Sequence, residues 1–155
     1  MEKRKNLHDY SIVMILLAVL GAFNFISTAV GSLIDGTVSD ALATVDDDIL
    51  LPVKIVFCVL AAMMVFLALA EAFIGIEGLK ISREPDDSKG HIIASKIFLV
   101  INAIAVVSLV ASLINNEAPV VDTVLTLANT VLDIVFYVLF IKAANAVREE
   151  YIASK

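Results

Sequence analysis

Glu71, Lys96 and Asp133 are the residues whose placement asks for chemistry, because each lies inside a long apolar stretch. A charged side chain in the middle of a bilayer costs about 2.5–3.5 kcal/mol or more, so it is hidden by other helices, paired, or used. Two carboxyls and an amine at one level could form a buried ion pair or hold and release a proton. Asp133 also belongs to a polar series. Asp122, Thr126, Asn129, Asp133 and Tyr137 are spaced 4, 3, 4 and 4 and fall on one side of a helix. Asn24 and Asn102 place side-chain amides at similar depths in two other apolar stretches. The candidate intramembrane cluster is therefore Asp133, Glu71, Lys96, Asn129, Asn102 and Asn24.

The elements that must position these residues follow from the composition. Of the 155 residues, 60% are hydrophobic and 18% charged, where a soluble domain would be roughly half apolar and a quarter charged. The excess is gathered into four blocks, at 10–34, 49–76, 91–114 and 118–142. Each is long enough to cross about 30 Å of hydrocarbon at about 1.5 Å per helical residue. The expected fold is all-α: a polytopic membrane protein in which residues 1–155 form one four-transmembrane-helix antiparallel bundle, up-down-up-down. The first block is too long for the apolar core of a signal peptide and lacks a convincing small-x-small cleavage site in the right place, so it is read as an uncleaved span.

Along the first span Gly21, Asn24, Thr28, Gly31 and Asp35 recur at 3, 4, 3 and 4, the pattern of a helix-packing seam. Residues 35–48 form a loop in which Val38, Ala41, Leu42 and Val45 suggest a short interfacial helix. Asp46, Asp47 and Asp48 then precede the second span, where carboxylates complement a helix N-terminus, and Pro52 is expected in its first turn. Residues 77–90 hold Gly78, Pro85 and Gly90 and read as a linker and hinge, with His91 a polar boundary residue behind it. In the third span Ser95, Asn102, Ala105 and Ser112 share a face. Only residues 115–117 separate the third and fourth spans, which forces a hairpin, with Asn116 as cap and Pro119 in the next turn. After Lys142 the helix is expected to continue as an exposed, charged extension.

The basic residues sort by side. Ten of the eleven lie before the first span, in or just after the second loop, or after the fourth span, and only Lys54 lies elsewhere. The positive-inside rule then places both termini and the second loop in the cytoplasm, across a plasma or bacterial inner membrane. Counting inward from that side, Glu71 is nine residues from Lys80 and Asp133 nine from Lys142, with Lys96 slightly shallower. The three charges are expected to converge on one layer, where Lys96 pairs with Asp133 or Glu71, the Asp133–Lys96 pair being the one to test.

Several chemistries lack their residues. Cys58 is the single cysteine and His8 and His91 are the two histidines, so neither an internal disulfide nor a multi-histidine metal site is expected. No phosphate-binding glycine loop, nucleophile elbow or zinc-protease motif occurs, and no basic stripe suits nucleic acid. The sequence is read as non-enzymatic, with no cofactor or metal. Its partners are the lipid bilayer and either a second copy or another membrane protein, engaged by helix–helix association. The alternative is an oligomeric ion- or proton-coupled transporter or channel for a small solute, using the inner-half carboxylates Asp133 and Glu71.

Overall fold

A peptide group away from water must find its hydrogen bond within its own segment, so apolar runs of this length fold as helices. The computed structural model defines the backbone over residues 2–34, 47–115 and 120–155, and the side chains of those residues other than 24, 28–34, 47–51, 53, 54, 57 and 58. Four helices make up nearly all of it: α1 (Glu2–Ile34), α2 (Asp47–Arg83), α3 (Gly90–Ile114) and α4 (Val120–Ala153). Each contains a segment long and apolar enough to cross a membrane.

Contacts divide the chain into two compact units, Met1–Ile15 with Phe73–Lys155, and Leu16–Ala72. Among the described residues, the first holds most of the buried side chains. Leu7, Ser11 and Met14 of α1, Ile74 and Ile81 of α2, Ile92 and Ser95 of α3, and Tyr137, Phe140, Ala144 and Val147 of α4 are all buried. Their spacings of 3, 4 and 7 put one stripe of each helix inward. The buried serines bring no unmet donors. Ser11 Oγ donates to Leu7 O at 2.6 Å, and Ser95 Oγ to His91 O at 2.7 Å, so each hydroxyl closes on its own helix.

Two glycines of α2 set how closely these helices approach. A methyl group on Gly75 would stand 2.6 Å from Ile15 Cγ1 and 2.9 Å from the carbonyl oxygen of Ser11. A methyl group on Gly78 would collide with Ser11 Oγ and lie 2.5 Å from Phe140 Cε2. The small residues are thus contact points between backbones, as is common in membrane helix packing.

Three expectations are corrected here. The linker does not begin at residue 77: α2 continues through Arg83, and Gly78 is a buried contact rather than a hinge. The inward series Ile74, Gly78, Ile81 keeps helical spacing through that stretch, and packing outweighs the weak helical propensity of glycine. The end of α4 is not a free extension, because Ala143, Ala144 and Val147 are buried. The connection at 84–89 is tied to it: Arg148 Nε donates to Asp87 O at 3.2 Å, and its guanidinium lies 3.6 Å from the Asp87 carboxylate. Finally, Pro52 is the sixth residue of α2 rather than part of its first turn.

The second unit comprises the later part of α1 and the earlier part of α2. Among its described side chains large apolar ones are exposed, with Phe23 and Phe66 the most open. The expected interfacial helix at 38–45, the cap Asn116 and Pro119 lie outside the described residues.

Candidate functional site

Two series of residues, each repeating every seven positions, run along α4. Seven residues are close to two turns, so each series stays on one side of the helix. Thr123, Thr130, Tyr137 and Ala144 are all buried, at 5, 9, 1 and 0% exposure. This is the side on which α3 packs, with Tyr137 stacked on Phe98 at 5.8 Å between ring centroids. In the second series, Thr126 is exposed, Asp133 half-buried, and Phe140 and Val147 fully buried. The same flank of the helix is therefore enclosed at the C-terminal end and open toward the N-terminal end. Asn129 and Asp122, on the flank beside Thr126, are exposed as well.

The ring contacts Phe98–Tyr137 and His91–Phe140 show that α3 and α4 run in opposite directions along their shared face. In that register Asn102, four residues after Phe98, is level with Asp133, four residues before Tyr137. Both are half-buried. Asn102 Nδ2 donates to Phe98 O at 3.0 Å, so its amide is folded back along α3. Ser95, Asn102, Ala105 and Ser112 lie on the inward side of that helix, buried or half-buried as their spacing suggests.

Lys96 and Asn129 do not join this layer. Lys96 is exposed. The ion pairs found among the described residues join Lys3 to Glu150, His8 to Asp9 and Arg148 to Asp87, and none includes Lys96 or Asp133. On the fourth helix Lys96 is level with Leu139, nearly two turns from Asp133, which is why the two do not meet. Asn129 is exposed, and the side chain of Asn24 lies outside the described residues.

Glu71 belongs to the second unit. It is half-buried and lines a groove of about 290 Å³ between α1 and α2. Ala18, Gly21 and Ala22 form one wall, Ala68 and Ala72 part of the other, and their short side chains make the space. Gly21 is open rather than tightly packed, since a methyl group there would meet nothing within 4 Å.

The sequence reading missed His91. Instead of a polar boundary residue it is 4% exposed, with its ring edge-on to Phe140 at 6.1 Å between centroids. Among the described residues neither ring nitrogen has a hydrogen-bond partner. The signal was present, because His91 stands four residues before Ser95 and eleven before Asn102, on the same inward side of α3. Among the described residues, no three His, Cys, Asp or Glu side chains come close enough to hold a metal ion.

No family model matches the chain, and comparison with curated proteins and with solved structures found no match for it.

Proposed function

We propose that this chain is a small integral membrane protein without catalytic activity, acting through lateral helix–helix association with a second copy of itself or with another membrane protein. The four helices then lie up-down-up-down across a plasma or inner membrane, with both termini cytoplasmic. Many large apolar side chains on all four helices are exposed, among them Phe66, Val107, Ile114 and Val121, which suits hydrocarbon and not water. The charge sorting supports the orientation, since Lys3, Arg4, Lys5, Lys80, Arg83, Lys142 and Arg148 lie at the ends that the first unit gathers.

The observation that carries the association reading is the open flank of α4. It continues the buried series Phe140 and Val147 outward into Asp133 and Thr126, with Asn129 alongside. Thr126 is inexpensive there, because its Oγ1 donates to Asp122 O at 2.8 Å. Asn129 is different, as an exposed amide facing lipid gains from a partner helix that hydrogen-bonds it. Asn129→Cys, placed in a Cys58→Ser background, is expected to crosslink between chains in native membranes. An absence of crosslinks, together with a monomer in mild detergent, would sink the reading.

The second reading is the oligomeric ion- or proton-coupled transporter or channel. It is supported by a carboxyl, Asp133, inside an apolar span and paired with no cation among the described residues. Asp133→Asn would then abolish a flux in proteoliposomes while leaving the fold intact, and wild-type vesicles that carry no flux would remove this alternative.

A further inference from the structure

At the end of the molecule where the basic residues gather, α1 and α4 do not close completely on each other. Lys3, Asn6 and Tyr10, spaced 3 and 4, share one face of α1. They border a cleft of about 230 Å³ whose other side is α4. There Leu139 and Lys142 stand over Ala143 and Ala146, and the two alanines leave the room that larger side chains would fill. Ala143 is buried and Ala146 half-buried, so the floor is apolar and part of the fold. Lys3 and Lys142 are exposed at the rim. The Lys3 amine is 3.9 Å from a Glu150 carboxylate oxygen, a solvent-exposed pair too weak to occupy it.

The level of this cleft matters. Tyr10 opens the first apolar block and Lys142 closes the last, which is where amphipathic rings and snorkelling amines meet the headgroups. Two amines and an amide stand above an apolar floor at the boundary. That arrangement complements a phosphate joined to an acyl chain, and basic pockets between helices on the cytoplasmic side bind anionic headgroups for this reason. We propose that the cleft between α1 and α4 is a binding site for one anionic phospholipid, its phosphate held by Lys3 and Lys142 and its glycerol and first methylenes over Ala143, Ala146 and Leu139. The assignment rests on the membrane reading above but not on the association reading.

The test uses the full chain in mild detergent, with native mass spectrometry of bound lipid. Phosphatidylglycerol and phosphatidylcholine of matched chains are titrated separately. One phosphatidylglycerol is expected to bind well ahead of phosphatidylcholine. Each lysine contributes about 1 kcal/mol to anionic-lipid attraction, so K142Q should weaken binding about fivefold and K3Q/K142Q about thirtyfold. Lys96→Gln, at an exposed lysine of α3 outside the cleft, is the control and should leave binding unchanged. Ala146→Leu fills the floor without altering charge and should also weaken phosphatidylglycerol binding. Equal binding of the two lipids would overturn the proposal, as would full binding by K3Q/K142Q or by Ala146→Leu. Displacement by inorganic phosphate would overturn it too, by reassigning the cleft to a soluble anion. Carbonate extraction of native membranes separates the two levels. Release of the protein would mean that the membrane reading fails, whereas retention without lipid preference would mean that only this site fails.

Discussion

The two ends of α4 are made of similar material and end in different states. From Tyr137 to Val147 its inward side chains are enclosed, while from Val120 to Asp133 only Thr123 and Thr130 are buried. Hydrophobicity does not separate the two ends, because Val121, Val124 and Leu125 are as apolar as anything at the closed end and are exposed. At the closed end small residues stand at the helix contacts. Gly75 and Gly78 of α2, with Ala143 and Ala144 of α4, let three helices come together around Phe140 and Ser11. Among helices surrounded by hydrocarbon, apolar surface alone gives no reason to associate; close backbone approach and hydrogen bonding do. The closed end uses the first of these. The open end carries Asn129 and Asp133, which suit the second.

Phe140→Ala should break this contrast most severely. Removing a fully buried ring that touches both Gly78 and His91 is expected to cost about 3–5 kcal/mol, read as reversible unfolding in mixed micelles. A smaller change in Phe140→Ala than in Asn129→Ala would mean that the closed end is not the stable one. Next comes Gly78→Leu, which must displace the Phe140 ring and Ser11, with an expected loss of about 1–3 kcal/mol in the same assay. Unchanged unfolding would show that α1, α2 and α4 do not meet at that glycine. Asn129→Leu sharpens the other side of the comparison. It should leave unfolding of the single chain nearly untouched but weaken association in bilayers by about 0.6–2 kcal/mol, measured by energy transfer between labelled copies. The smallest effect is expected for Arg148→Gln. Its ion pair with Asp87 joins a half-buried guanidinium to an exposed carboxylate, and pairs open to solvent contribute about 0–1 kcal/mol. A larger loss would indicate that the 84–89 connection, rather than the helix contacts, holds the closed end together.

The polar series on the fourth span was legible as a series but not as a buried stripe. A spacing of 4, 3, 4 and 4 places Asp122, Thr126, Asn129, Asp133 and Tyr137 on one side of a helix, and that much follows from helical geometry. Burial depends on what lies across from that side, and it changes along the helix from Thr126 to Phe140. The expected Lys96–Asp133 pair is missing for a related reason. Depth counted from the ends of apolar blocks is too coarse, and the Phe98–Tyr137 contact sets Asn102, not Lys96, level with Asp133. Gly78 was read as linker because glycine breaks isolated helices, but here its lack of a side chain is what the neighbouring helices require. His91 was read as a boundary residue because histidine is polar and follows a glycine, whereas its place in the series with Ser95 and Asn102 takes it inward.

What the amino-acid order determined alone is an all-helical chain with four helices long and apolar enough to span a membrane. Four apolar runs of spanning length can satisfy their peptide groups only as helices, and that constraint is local, so it is visible in the chain itself. Which flank of each helix is covered, where Phe140 and His91 are enclosed, and where α1 and α4 leave a gap were decided only by the tertiary structure. Those outcomes depend on steric fit between side chains far apart in the chain, and no period within a single helix records its partner's shape.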